Sequence, residues 1–496
     1  MKTIRTTFVA LAAGLSALWL AAEASALPAA QGVFPWRNLL VQYSGVLGMG
    51  LMSVGMLLAL RPAWLDERLH GMDKGYRLHK WLGIAGLALS VAHWLFAKGP
   101  KWLVQAGWLE RPQRGPRPQF EPDSLLALLQ GLRHPAEEIG EYAFYAMLAL
   151  IAIALIKRFP YRRFFQTHRA MALVYLVLVF HSVVLTKPEY WLQPVGLVLA
   201  ALMAVGTVSA FMSLARRIGR ARRVEGRVES VEFQPGTQVT AVTVQLGEGW
   251  RGHDAGQFAF VTFDAAEGAH PFTIASAWAG DGRLRFLIKA LGDYTRTLPQ
   301  ALKAGDAVAV EGPYGRFRFE GEQRRQVWIG AGIGVTPFVA RLQALARRPD
   351  GRTIDMFHPT AAVDPVALAR LEADAGAAGV RLHVLQDGRD GRLDATRLRQ
   401  LVPDWLHADF WFCGPAAFGE ALKRDLAAAG LPAGRFHQEL VRDALSVQDA
   451  RPLTRANEGG GGALGHRAGG IIGRGGLPPA VAWQPGSAAG QTTALR

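Results

Sequence analysis

The chain has 496 residues, with 55 Lys and Arg against 40 Asp and Glu, a formal net charge of +15. Half of it is hydrophobic and only 19% is charged, against about a quarter in ordinary soluble domains, which excludes a disordered or collagen-like chain. The single cysteine, Cys413, excludes an intramolecular disulfide, an iron–sulfur cluster and a zinc ribbon, and the absence of C-x-x-C-H excludes covalent haem attachment. The positive charge does not point to nucleic acid, because Arg and Lys gather in short loops between apolar segments, the pattern of a membrane protein's cytoplasmic side. The length itself calls for two to four domains.

Apolar segments cover roughly Phe8–Ala26, Tyr43–Leu60, Trp81–Ala97, Tyr142–Ile156, Ala170–Leu185 and Trp191–Leu214. Several are shorter than the ~20 residues of an ideal span, and the fourth is the weakest. If all six cross, three basic groups fall on one side: Arg61, Arg68, Lys74, Arg77 and Lys80; Lys157, Arg158, Arg162 and Arg163; Arg216, Arg217, Arg220, Arg222 and Arg223. The positive-inside bias then predicts a multi-pass protein with both termini in the cytoplasm. The first segment, with Lys2, Arg5 and Ala24-Ser25-Ala26, also has the form of a cleavable signal peptide. Retention as a span is the preferred reading; cleavage would leave five spans.

Histidines supply the first chemical signal. His79 and His93 bracket the third segment, fourteen residues apart, and His168 and His181 bracket the fifth, thirteen apart. Each pair is separated by ~20 Å along its helix. Imidazole is a suitable axial ligand for haem iron, and ionisable groups inside a bilayer are costly and usually functional. We therefore pair His79 with His168 and His93 with His181, predicting two stacked b-type haems as metal sites. One helical turn count is awkward. At 100° per residue, fourteen positions return within ~40° of the same face, whereas thirteen leave ~140° on a straight helix, so the second pair requires a bend, a local π-turn or a long side-chain reach. A lone histidine here would be read as an interfacial polar residue. His70 and His134 fall in loops and are read as surface residues.

From about residue 219 the character changes. Residues 224–320 are rich in Val, Phe, Gly and Thr with turn signals, which predicts an antiparallel β-barrel. Within it, a strand-like run Phe258–Phe263 precedes His270-Pro271-Phe272-Thr273-Ile274-Ala275-Ser276, a segment suited to the edge of a flat polar ring such as a flavin. Lys289-Ala290-Leu291-Gly292-Asp293-Tyr294-Thr295 leads into a helix whose free N–H groups suit a phosphate, with Lys289 adding charge. Glu311-Gly312-Pro313-Tyr314-Gly315 closes the region as a turn.

Residues 326–440 alternate short apolar runs (Val327–Ile329, Ile354–Phe357, Leu382–Leu385, Phe410–Phe412) with helical stretches, the pattern of an α/β parallel sheet. Val327-Trp328-Ile329 runs into Gly330-Ala331-Gly332-Ile333-Gly334-Val335-Thr336-Pro337, a glycine-rich turn and helix start where a dinucleotide pyrophosphate can approach the backbone. It is not the strict G-x-G-x-x-G fingerprint. Cys413-Gly414-Pro415 ends another strand of the same half, and strand C-termini line the ligand crevice of such sheets. Nothing beside Cys413 marks it as a nucleophile. The second strand leaves NADH and NADPH undecided: Asp355 and His358 are neutral on the question, and Arg352 hints at a 2′-phosphate. The tail from about residue 443, with Gly459–Gly462 and Pro478-Pro479, has no apolar periodicity and reads as disordered.

The order of HPFTIAS, GDYT, EGPYG, GAGIGVTPF and FCGP resembles the ferredoxin–NADP reductase-like module. With six membrane segments and two histidine pairs in front, residues 8–440 resemble the ferric reductase and NADPH oxidase superfamily, bacterial branch. The resemblance implies a haem-binding helical membrane bundle (1–218), an FAD-binding barrel (219–322) and an NAD(P)-binding α/β domain (323–442), followed by the tail (443–496). It implies FAD on His270–Ser276, Lys289, Gly292 and Thr295, and NAD(P)H on Gly330–Gly334, Thr336, Pro337 and Cys413–Pro415. Electrons would pass through the lipid bilayer of a bacterial inner membrane to an acceptor on the outer face: ferric iron, oxygen or a periplasmic partner protein. A nucleotide-regulated proton channel or transporter is the competing reading from another class. Ala97 stands four residues after His93, where the oxygen-reducing members carry a second histidine, and this leans the expectation toward ferric iron. Phe436-His437-Gln438-Glu439 matches the family's closing strand. Bacterial members resembling this chain end soon afterwards in Phe-Glu-Met-Arg. Codons GTT-CGA-GAT-GCG-C for Val441-Arg442-Asp443-Ala444, read one base later, encode that ending, so a frameshift from about Val441 is expected.

Overall fold

The computed structural model describes residues 2–69, 71–110, 120–121, 123–156 and 161–439. His70, Lys157, Arg158 and everything from Val441 onward, including the expected frameshift and tail, lie outside the described residues.

Six helices among the described residues are long and apolar enough to cross a membrane: Ile4–Ala22, Val33–Ala59, Lys74–Gln105, Arg133–Leu155, Arg163–Leu185 and Pro194–Leu214. They make the chain a multi-pass membrane protein and are called here the first to sixth spans. Most outrun the apolar stretches read from sequence. Hydropathy marks only the lipid-facing middle, whereas backbone groups must stay paired through the interface as well, so the helices continue into their polar flanks. The fourth, read as the weakest, runs a full 23 residues.

The spans pack around a core that includes Trp19, Val46, Met49, Phe144, Met147, Tyr175, Leu178, Leu199 and Met203. At the end of the first span Glu23 is buried and bonded to both Lys187 and Tyr190, which satisfies a carboxylate that would otherwise be costly in that position. The fifth span is two helices, Tyr161–Arg169 and Met171–Leu185, joined at Ala170.

The remainder forms two sheets. β1 (Arg223–Gln234), β2 (Val239–Leu246), β3 (Phe258–Thr262), β4 (His270–Thr273), β5 (Arg283–Lys289) and β6 (Ala307–Tyr314) make an antiparallel sheet in the order β4-β3-β6-β1-β2-β5. A single bridge, Ile274 to Phe286, joins the chain after β4 to β5. Alternation puts Val228, Val242, Val244, Val261, Leu284, Phe286 and Val310 into one core. β7 (Arg325–Gly330), β8 (Thr353–Thr360), β9 (Arg381–Gln386), β10 (Ala408–Cys413) and β11 (Phe436–Glu439) make a parallel sheet in the order β11-β10-β7-β8-β9. Its central strands β7 and β10 are buried almost throughout, as sheets covered by helices on both faces require. Each strand read from sequence in this half is present.

Candidate functional site

The structure brings the four membrane histidines together in the pairs expected. The His79 and His168 rings face each other with centroids 6.0 Å apart, and His93 and His181 at 6.2 Å, each pair crossing at 74°. Three of the four are held by the other ring nitrogen. Nδ1–H of His79 donates to the Gly55 carbonyl at 2.9 Å, that of His93 to Val41 at 3.0 Å and that of His181 to Ala136 at 2.8 Å. A carbonyl can only accept, so the proton sits on Nδ1 and the Nε2 lone pair is left for a ligand. His168 lacks such a partner: its Nδ1 is buried without a hydrogen bond, and its ring stacks on Phe164 at 5.2 Å.

The thirteen-residue spacing of the fifth span is accommodated at Ala170. Ala170 N–H donates to Thr167 O, and Leu173 N–H to Ala170 O, both at 3.0 Å. These are three-residue bonds, which turn the chain ~120° per residue instead of ~100°. Overwinding, and not the underwinding of the π-turn read from sequence, rotates His181 toward the face of His168. Small residues clear room for the rings. A Cβ on Gly140, one turn from Ala136 on the fourth span, would overlap the His181 ring, whereas one on Gly45 would sit an ordinary 3.5 Å from His93. Sequence reasoning missed Gly140; the Ala136-x-x-x-Gly140 spacing of small residues was the available signal.

In the antiparallel sheet, β4 places His270 to Thr273 beside β3, with Thr273 opposite Phe258 and Pro271 opposite Phe260. The His270 ring lies near-parallel to two aromatics, Tyr294 at 4.6 Å and Phe272 at 6.2 Å. Burial pushes the His270 imidazole down to about 4, so at neutral pH it is an uncharged flat surface. Ser276 is spent on structure: its hydroxyl accepts Arg285 N–H at 3.0 Å and its carbonyl accepts His253 Nε2–H at 2.8 Å. Ile274 is fully buried. Lys289 ends β5 opposite Val239. Gly292 caps the helix Asp293–Ala301, and the Thr295 hydroxyl accepts the N–H groups of Leu291 and Gly292 at 3.0 Å each. Thr295 thus occupies two of the amides read as phosphate donors and shapes the turn around them.

The parallel sheet brings both nucleotide motifs to one place. Gly330 ends β7 and Cys413 ends β10, paired in register, and strand order reverses direction between β7 and β10. Ligands bind in the crevice at such a switch point. Gly332 takes φ +55, a left-handed conformation that favours glycine. Gly334 abuts the Cys413 carbonyl, and a Cβ there would lie 2.9 Å from Gly414 N. Thr336 and Pro337 open the helix Thr336–Arg347. Burial raises the Cys413 thiol well above its ordinary value, so Cys413 is an inert wall of the crevice. Glu439 ends β11 opposite Cys413 and approaches the Gly315 turn.

Arg352 is not placed for a 2′-phosphate. Its guanidinium donates to Phe319 O at 2.6 Å and Gly321 O at 3.0 Å, ahead of β8 and away from the crevice at that strand's other end. Asp355 is likewise buried, paired with Arg325, Arg381 and His383. His358 does reach the crevice end, donating to the Gly330 carbonyl at 2.7 Å.

Residues 44–179 match the family described as ferric reductase like transmembrane component. Residues 226–318 match an FAD-binding domain family. Together the two matches make this chain similar to the ferric reductase and NADPH oxidase superfamily over its membrane and FAD-binding parts. It is 30% identical to an NADPH oxidoreductase of Mycobacterium tuberculosis over 244 residues, 46% of this chain and 63% of that protein. It is 31% identical to a flavohemoprotein of Bordetella pertussis, covering 34% of this chain and 47% of that one. Respiratory burst oxidase homolog protein E of Arabidopsis thaliana is 26% identical over 37% of this chain and 22% of its own length. The chain thus spans less than two thirds of each of these relatives.

Proposed function

We propose that this chain is an NAD(P)H-dependent oxidoreductase that conducts electrons across a bacterial inner membrane, through FAD and two b-type haems, to ferric iron on the outer face. The observation that carries the reading is the pair of facing imidazoles repeated at two depths. With ~2 Å for a metal–imidazole bond and ~1.1 Å from nitrogen to ring centre, two facing imidazoles that would hold one metal ion between them would have centroids ~6.2 Å apart. The values here are 6.0 and 6.2 Å, so the residues fit the group. His79 and His168 would hold the inner haem, and His93 and His181 the outer. The carbonyls of Gly55, Val41 and Ala136 orient three of these ligands and raise their basicity, the usual outer-shell arrangement.

FAD fits the antiparallel sheet, read as a barrel, where the neutral His270 and the rings of Phe272 and Tyr294 offer flat surfaces and the first turn of the Asp293–Ala301 helix offers amides. NAD(P)H fits the crevice between the Gly330–Pro337 and Cys413–Pro415 turns. When bound, the flavin supplies the conversion of a two-electron donor into the one-electron steps that haem iron takes. The chain's own groups orient the nicotinamide nucleotide, exclude water from the crevice and separate the two imidazole sites by ~20 Å of helix.

Ferric iron is preferred to oxygen because the residue four past His93 is Ala97, which offers no imidazole and whose carbonyl accepts Arg37 N–H at 3.3 Å. Steady-state turnover of the purified holoprotein, assayed against ferric chelates, oxygen and quinones side by side, tests this. Low-spin haem absorbance whose α band sharpens and grows on adding NAD(P)H, with ferric chelate as the fastest acceptor, is expected. Faster oxygen consumption refutes the acceptor, and a colourless proton-conducting protein refutes the whole reading.

A further inference from the structure

Glu311 opens the Glu311–Gly315 turn near the end of β6 and is only 6% exposed. Its carboxylate gathers contacts from three parts of the chain. From the loop after the second span, Arg61 reaches it at 3.2 Å. From its own strand, the Tyr314 hydroxyl donates to it at 2.6 Å. From the linker after the sixth span, Gly219 stands at φ +70 where any Cβ would overlap the carboxyl group. Arg222, three residues on, lies over the Tyr314 ring at 5.1 Å and donates to Pro313 O at 3.3 Å.

Arg61 is committed to this place. It holds φ +56, a left-handed conformation uncommon outside glycine. Its guanidinium covers the Phe260 ring at 4.1 Å. Met72, at the start of the third-span helix, packs with Phe258, Phe260 and Tyr314, and His79 follows on the same helix two turns later, ~10 Å along its axis. An exposed ion pair would contribute little, but the Arg61 and Glu311 side chains are 13% and 8% exposed. Removing either partner leaves the other's charge buried without its counter-charge.

We propose that Arg61 and Glu311 are positioning residues: a buried latch that seats the FAD-bearing sheet on the inner-histidine end of the membrane bundle and thereby sets the rate of electron transfer from flavin to the inner site. The inference rests on the function proposed above. The latch exchanges no atoms; each transfer moves one electron, with NAD(P)H as the reductant.

The test uses purified full-length holoprotein carrying Glu311→Gln, Arg61→Ala or both. FAD and haem content, NAD(P)H turnover with ferricyanide drawing electrons from the flavin, stopped-flow haem reduction and trypsin cleavage between Arg216 and Arg223 are measured together. Cofactor content and ferricyanide turnover should hold. Haem reduction should slow by about tenfold to a hundredfold, the scale of an ångström-level misplacement, and linker cleavage should accelerate. The double variant should be no slower than the worse single, since both lose the same contact. Haem reduction and cleavage at wild-type rates in both singles, or effects that multiply, overturn the latch. Should Glu311→Gln fail to fold, Arg61→Lys, which keeps the charge but loses the flat fork, carries the same comparison. A wild-type protein without haem would instead refute the proposed function, while the trypsin measurement would still decide whether the two residues seat the sheet.

Discussion

Gly140 offers a sharp test of the outer histidine pair. A methyl group there would lie 2.7 Å from His181 Cγ and closer still to Nδ1, so the ring must retreat by about an ångström or more to reach ordinary contact. Retreat also breaks the Nδ1–H bond to Ala136 O, now 2.8 Å. Overpacking costs about 1–3 kcal/mol and the lost hydrogen bond about 1 kcal/mol, a sum of roughly 2–4 kcal/mol. Coordination tolerates only ~0.2 Å of error in bond length. Gly140→Ala should therefore lose the outer haem, so extracted haem falls from two per FAD to one. Gly45→Ala, whose methyl would sit 3.5 Å from His93 Cε1, should keep both. Two haems with unchanged spectra in Gly140→Ala would refute the reasoning.

Two further outcomes follow from the soluble half. His270 binds a proton only near pH 4 in the fold against an ordinary 6.5, so the unfolded chain protonates first and stability falls as pH drops from ~6.5 to ~4, by ~3 kcal/mol in all. Melting temperature across that range should fall less steeply in His270→Phe, and parallel curves would contradict this. Gly334→Ala should raise KM for the nicotinamide nucleotide and lower the melting temperature by an amount corresponding to about 1–3 kcal/mol, because its methyl meets the backbone at Cys413 and Gly414; wild-type values of both would count against the crevice.

The sequence carried the spans, the histidine pairs and the parallel strands because each depends on a local signal: apolar length, residue type at a matched depth, or a short buried run. The thirteen-residue spacing announced that the fifth span must deviate, but not where, since nothing in His168-Arg169-Ala170-Met171 breaks a helix by propensity. Arg352 misled because sequence proximity to the second strand does not say at which end of that strand a side chain works. The Arg61–Glu311 contact was invisible for a different reason: it joins residues 250 positions apart, and each alone reads as a loop charge. Gly140 was passed over because a small residue in an apolar helix is unremarkable until its neighbour is known.

The central claim is that each facing pair of imidazoles holds one haem. Haem per FAD, with the absorbance and potential of each component, should be measured in wild type and in His79→Ala, His168→Ala, His93→Ala and His181→Ala. The account predicts two haems in wild type and one in every variant, with His79→Ala and His168→Ala losing the same component and His93→Ala and His181→Ala losing the other. Full pigment in any of the four, or losses that pair the residues differently, would contradict it.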